Sequence, residues 1–185
     1  MLVTNDSVGL DKEVKITPDT DGITHINIYS KGKTGLGKGL SHFAYTPFTH
    51  PYFGTFKCME GLWFYLRNGQ HLLSPEKQDG NYRTLSGFDV KKYGRDFERH
   101  IYPDFQEDIL AANYQKIIQS SQLQCWITES TLPFTHYYAF NGYVVHPKES
   151  EWLCIGFDDI RTALQKDQVP ECWLKAEKRY FNKSN

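Results

Sequence analysis

The stretch Phe105-Gln106-Glu107-Asp108-Ile109-Leu110-Ala111-Ala112-Asn113-Tyr114-Gln115-Lys116-Ile117-Ile118 carries the clearest helical pattern in this chain of 185 residues. At about a hundred degrees per residue, Phe105, Ile109, Ala112, Asn113 and Lys116 fall on one stripe, with Leu110 and Ile117 beside it. The spacing predicts a helix from Phe105 to Gln119, capped by Asp104. Lys116 stands in the middle of its apolar face, where an ammonium is costly unless something uses it. A second helix, expected over Cys58 to Arg67 with Thr55 as its cap, repeats the anomaly, because Glu60 projects between Trp63 and Phe64. Two ionisable groups on apolar helix faces suggest a shared pocket.

Outward from these helices the pattern is shorter and more broken. Ile23 to Ser30 alternates as a strand does, Gln124 to Thr128 reads as a short strand, and Tyr143 to Val145 as another. Trp152 to Leu164 predicts a closing helix and Trp173 to Phe181 a short terminal one. Arg95 to His100 begins a helix that Pro103 would break. Residues 68 to 94 hold Asn68-Gly69, Ser74-Pro75, Asp79-Gly80 and Ser86-Gly87, and read as a long variable connection with about one helical turn. Residues 1 to 22 are polar and read as a tail or edge hairpin. The sum is a helix-rich α+β chain with a few short antiparallel strands, in a single compact domain over residues 23 to 185.

Composition narrows the function. With 21 basic and 22 acidic residues the charge is nearly balanced, so there is no overall electrostatic footprint for nucleic acid or an anionic membrane. No stretch approaches the apolar length of a membrane span, and no apolar leader opens the chain, so a soluble cytoplasmic protein is expected. Cys58, Cys125, Cys154 and Cys172 lie far apart and read as reduced, mostly buried thiols. Aromatics make up 15% of the chain, more than a core of this size needs, which points to a site that stacks a ring or a sugar.

Gly32-Lys33-Thr34-Gly35-Leu36-Gly37-Lys38-Gly39 spells GxxxxGK after a predicted strand, but the next position lacks the magnesium-binding Ser or Thr and prolines follow. A flexible basic hairpin is the reading it favours. The histidines show no tight ligand spacing, so neither a metal nor a cofactor is expected. For Glu60 the bland alternative is an ion pair supplied by the fold; for Lys116 it is a stem that packs while the ammonium reaches solvent. Glu129-Ser130, directly after the predicted strand at Cys125 to Thr128, adds a third polar element at a strand end.

In order along the chain, six pieces resemble the NADAR superfamily, which includes the YbiA-like proteins. They are Ile28-Tyr29-Ser30-Lys31-Gly32, Leu40-Ser41-His42-Phe43-Ala44-Tyr45-Thr46-Pro47-Phe48, Met59-Glu60-Gly61-Leu62-Trp63, Ile109 to Lys116, Ile127-Thr128-Glu129-Ser130, and Phe157 to Leu164. The likeness spans about residues 26 to 164 and is carried by order and spacing, since each motif alone is weak. His42 stands where the family usually has Asn, Gly61 where it often has His, and Tyr137-Tyr138 near a common Trp-Gly pair. The chain therefore resembles a divergent member.

The resemblance implies a YbiA-like domain that cleaves an N-glycosidic bond to ribose, in an ADP-ribosylated nucleobase of DNA, RNA or a free nucleotide, or in a ribosylated nucleotide metabolite. Such cleavage builds oxocarbenium-like charge on the sugar, so Glu60 and Glu129 are candidates to stabilise it and to deprotonate water. Lys116, desolvated by Phe105, Ile109 and Leu110, either attacks C1 to form a Schiff base or binds phosphate or the leaving base. Tyr29, Phe43 and Trp63 would stack base or ribose, while Lys31, Lys33 or Arg95 would meet a diphosphate. His42, Ser130 and Tyr138 complete the expected substrate-binding set. The alternative is a non-catalytic protein that binds or sequesters NAD or ADP-ribose with the same aromatic pocket and cations.

Overall fold

In a computed structural model, residues 17–100, 102–140, 143–147 and 150–183 are described. The elements run β1 (Ile26–Asn27), α1 (Gly35–Leu40), β2 (Phe48–His50), β3 (Gly54–Phe56), α2 (Met59–Arg67), α3 (Asn81–Thr84), α4 (Gly87–Gly94), α5 (Phe105–Ile118), α6 (Ser121–Glu129), β4 (Phe134–Thr135), β5 (Tyr138–Phe140), β6 (Tyr143–Val145), α7 (Glu151–Gln165) and α8 (Glu171–Lys183). The fold class is helix-rich α+β, as the sequence predicts. Contacts divide the chain into two compact units: residues 1–41 with 122–170, and residues 42–121 with 171–185. Most of the tail expected over residues 1 to 22 lies outside the described residues.

The second unit is built around α5. Ile109, Ala112, Asn113, Lys116 and Ile117 are all fully buried, because α5 packs against α2, α8 and β2. Its first turn collects negative charge at the positive end of the helix. Arg179 of α8 pairs there with Asp104, Glu107 and Asp108, and Tyr102 and Tyr180 donate their hydroxyls to Asp108 at 2.8 Å each. Asp104 occupies the N-cap as expected but makes no side-chain cap bond; its carboxylate is taken by Arg179.

β2 and β3 form an antiparallel hairpin with Phe48 opposite Phe56 and Thr49 opposite Thr55. Thr55 belongs to this hairpin, with its hydroxyl 2.9 Å from that of Thr49, so the α2 cap falls instead to Cys58, which is extended and makes no side-chain cap bond. The 68–94 segment is more ordered than its turn dipeptides suggest. Two 3₁₀ turns precede α3 and α4, and Tyr82 and Val90 are fully buried. Here the Gly and Pro dipeptides separate short helices rather than fill a loop. Residues 95–100 form no helix, since α4 ends at Gly94.

Gly61 shows how closely this unit is packed. A Cβ at that position would lie 2.3 Å from the carbonyl oxygen of Tyr82, so no larger residue has room. In an open helix Gly→Ala gains about 1 kcal/mol. Here Gly61→Ala is expected to lose about 1–3 kcal/mol through overpacking against backbone, and urea denaturation checks the sign.

In the first unit β1 pairs with β4 in parallel, Ile26 with Phe134 and Asn27 with Thr135, whereas β5 and β6 are antiparallel. The expected strand over Ile23 to Ser30 shrinks to Ile26–Asn27, with Ile23 exposed in the preceding turn. The glycine-lysine stretch is not a hairpin but contains α1. Thr34 caps it by accepting the Gly37 N–H at 2.9 Å, and Leu36 and Leu40 form its buried stripe. Gly37 is required by proximity, since a Cβ there would sit 2.2 Å from the Asn27 carbonyl oxygen. Asp21 holds the loop before α1, accepting the N–H groups of Asn27 at 3.0 Å and Lys33 at 2.6 Å.

The strand expected at Gln124 to Thr128 is also a helix, α6. Its buried residues are Leu123 and Ile127, a four-residue spacing that the five-residue window did not contain. α7 packs on β4 through Phe157 and Phe134, and the Arg161 guanidinium lies 4.6 Å over the Phe134 ring. Cys58 and Cys154 are buried, while Cys125 is exposed and Cys172 half-buried, so the thiols are less uniformly interior than expected. Among the described residues no helix is long and apolar enough to cross a membrane.

Candidate functional site

Glu60 sits in the first turn of α2, and its own N–H donates to the His42 carbonyl at 2.9 Å. The side chain is 8% exposed, and among the described residues its carboxylate takes no hydrogen bond or ion pair. Burial raises its pKa from 4.5 to about 7; Lys91 and Arg67 pull the other way without prevailing. Lys116, on α5, is fully buried, and loss of hydration brings its pKa down from 10.5 to about 7. Cys58 acts on Lys116 in the opposite sense to burial, and its own thiol is raised by burial and to a lesser degree by Glu60. Cys58 therefore lies within electrostatic reach of both groups. The stem-packed, solvent-reaching lysine considered from sequence is excluded by the zero exposure of Lys116.

Rings surround this region of the second unit. His42 and Trp63 have centroids 5.6 Å apart, and Trp63 meets Phe105 edge-on at 4.9 Å. Phe43 lies 4.9 Å from Phe88, and Lys91 Nζ is 5.3 Å from the Phe43 centroid. Asn113 orients His42. Its Nδ2 donates to the Ile109 carbonyl at 3.0 Å, which fixes the amide, and lies 3.2 Å from His42 Nε2. Nε2 must then accept, so the proton of a neutral His42 is on Nδ1. The Asn113 Oδ1 is buried with no partner among the described residues.

The remaining predicted residues are distributed as follows. Arg95, in the same unit, is exposed and pairs with Asp96 at 3.3 Å. In the first unit Tyr29 meets Tyr138 edge-on at 5.1 Å. Tyr138 lies 3.0 Å, hydroxyl to Nε2, from His136, and His136 Nδ1 contacts the Ile28 carbonyl; the Nδ1–H tautomer thus accepts the tyrosine proton. Lys31 is exposed. Glu129 ends helix α6 instead of following a strand; it is exposed and accepts from Cys125 Sγ at 3.3 Å. Ser130 lies 3.5 Å from Arg161.

The structure thus gathers Glu60, Lys116, His42, Phe43 and Trp63 in one unit, and Tyr29 with Tyr138 in the other. Sequence reasoning gave no role to Lys91 or Phe88, and none to Asn113 beyond its place on the α5 stripe. Asn113 was detectable as the second polar residue on that stripe, three positions before Lys116.

No protein-family model matches the sequence, and no curated protein matches it. Among solved structures, the NMR structure of the Escherichia coli protein YbiA is similar, with a TM-score of 0.58 over 82% of this chain and 95% of that chain, at 17% identity. The chain therefore has the fold of YbiA, as the resemblance implied.

Proposed function

We propose that the chain is a divergent NADAR-type N-glycosidase of the cytoplasm, acting on an ADP-ribosylated nucleobase or a ribosylated nucleotide metabolite. The observation that carries this reading is Glu60: a buried carboxyl on α2, one turn before Trp63 and bonded through its N–H to the His42 carbonyl, with a pKa near 7, where acid–base catalysts work best. A buried ionisable group that no described residue hydrogen-bonds or pairs is a cost the fold would otherwise shed. The YbiA fold and the order of the sequence motifs support the substrate class.

In this reading Nζ of neutral Lys116 adds to C1 of the ribose as the C1–N bond breaks. The base departs with the bonding pair and takes a proton from water. Nζ then loses a proton to the ring oxygen as the C1–O bond opens, leaving an imine. Glu60 deprotonates a water that adds to C1, collapse returns the ribosyl product with a free C1 and the amine, and the proton on Glu60 neutralises the hydroxide left when the base was protonated. Glu60 also offsets the positive charge on the sugar. Of the two carboxylates expected to share these tasks, Glu60 takes both, because Glu129 is at the surface.

The test is incubation with guanosine-ADP-ribosylated DNA, NAD, ADP-ribose and a ribosylaminopyrimidine, with and without borohydride, reading products and intact protein mass together. Released base with a reduced adduct on Lys116 is the expected result. Release without an adduct moves the chemistry to Glu60 and water alone. Ligand-induced stabilisation without release from any substrate favours the non-catalytic binder.

A further inference from the structure

Helix α4, from the segment that the sequence presents as a loop, is held firmly. Val90 is fully buried, and Gly94 is pressed against α2 so closely that a Cβ would lie 2.6 Å from the ring of Phe64. The residues on either side of Val90, Phe88 and Lys91 among them, are therefore presented in a fixed direction. Phe88 is 71% exposed, a large ring left in water with its centroid 4.9 Å from that of Phe43 and the two planes tilted by 51°. Lys91, one turn on, is also exposed, with Nζ over the same Phe43 ring. Of the charges acting on Glu60, that of Lys91 is the largest, so this cation is near the carboxyl and not in a remote part of the surface.

A lone exposed Phe or Lys signifies nothing. Here a ring, a second ring tilted against it and a cation converge beside a buried carboxyl. That juxtaposition suits a ligand with a flat ring and an anionic group.

We infer that α4 is a ligand-reading wall of the Glu60 site, with Phe88 and Phe43 stacking the ligand's aromatic base and Lys91 binding its phosphate. The inference rests on the reading of this site as one for a ribosylated nucleotide, and it adds that recognition comes from the chain's least regular segment. The anion is taken by a mobile ammonium and not by a guanidinium fork, so phosphate is held as a point charge. Such a contact tolerates variation in the phosphate's geometry. Selectivity among bases then falls to the Phe88–Phe43 pair.

The test is calorimetric titration of the full chain with ADP-ribose, AMP and adenosine, for the wild type and for Lys91→Met, Phe88→Ser and Lys92→Met. Wild type is expected to prefer ADP-ribose and AMP to adenosine. Lys91→Met should weaken the two phosphorylated probes by about tenfold, the scale of one charge-assisted hydrogen bond, and leave adenosine unchanged. Phe88→Ser should weaken all three, and Lys92→Met, the exposed neighbour, none. All three positions are exposed, so folding is preserved, and melting curves verify it. Equal behaviour of Lys91→Met and Lys92→Met overturns the inference, as does a wild type that binds none of the probes. Turnover measured in parallel separates the two proposals: binding as described without release of base overturns the glycosidase alone, and release of base without a Lys91 effect overturns the α4 wall alone.

Discussion

Glu60→Gln is expected to lower turnover by about 10²–10⁴-fold, the usual contribution of a positioned acid–base group, while changing ligand affinity little and making the protein more stable at pH 8. The two effects have one cause. Gln keeps the shape of the side chain and removes only its ionisation. The folded-state pKa of Glu60 is raised from 4.5 to about 7, so between those values the folded state holds more protons than the unfolded one. Stability therefore falls as pH rises through this window. Below pH 4.5 the carboxyl is neutral in both states and costs nothing. Above pH 7 the full cost applies, about 3 kcal/mol for a rise of this size at a site that is almost fully buried. Urea denaturation at pH 5 and pH 8 should show little gain from Gln at the lower pH and a gain approaching that figure at the higher. An equal effect at both values, or a loss at pH 8, would mean that the ionised carboxylate is held by a structural partner, and the catalytic assignment would fail with it. A site that trades stability for function is expected to show this sign.

What could be read from the sequence depended on how far each signal extends along the chain. A fourteen-residue helix such as α5 repeats its apolar stripe often enough for a period to emerge, and a charge on that stripe is a one-dimensional signal; Lys116 and Glu60 are legible for that reason. α6 fails the same reading because its two buried residues, Leu123 and Ile127, straddle the end of the window in which Cys125, Trp126 and Ile127 look strand-like. α1 has six residues, three of them glycine, and what fixes it as a helix is the close approach of Gly37 to Asn27, a tertiary event. The same holds for α4. Its orientation is set by Gly94 against Phe64, and only that docking turns Phe88 and Lys91 toward Phe43. The role of Asn113 is tertiary as well, because neither the Ile109 carbonyl nor His42 Nε2 is identified as its partner by spacing alone.

Lys116→Met should abolish the borohydride-trapped adduct and turnover together, by more than about 10³-fold if the amine is the nucleophile, and Lys116→Arg should do no better. A guanidinium stays charged at every accessible pH, and the site that Lys116 fills is fully buried, so Arg would bring an obligatory charge where burial favours a neutral amine. The pH dependence distinguishes the two roles open to this residue. A nucleophile must be deprotonated, and with a pKa brought down to about 7 the active form grows as pH rises through neutrality. Because Glu60 ionises in the same range, log(kcat/KM) should climb below pH 7 with a slope between about 1 and 2 and level off above pH 8. A lysine that instead binds phosphate as a cation would lose its charge over that range, so the rate would fall on the alkaline side and Lys116→Arg would retain part of it. Stability provides an independent readout of the same titration. The folded pKa lies below the unfolded one, so the cost of burying this side chain is complete below pH 7 and is relieved as pH rises towards 10.5. The stability difference between Lys116→Met and wild type should therefore shift in the mutant's favour at pH 6 relative to pH 10, even if the substitution also disturbs contacts that do not titrate. A difference that stays flat across this range would place the Lys116 pKa at its ordinary value and remove the basis for a neutral nucleophile.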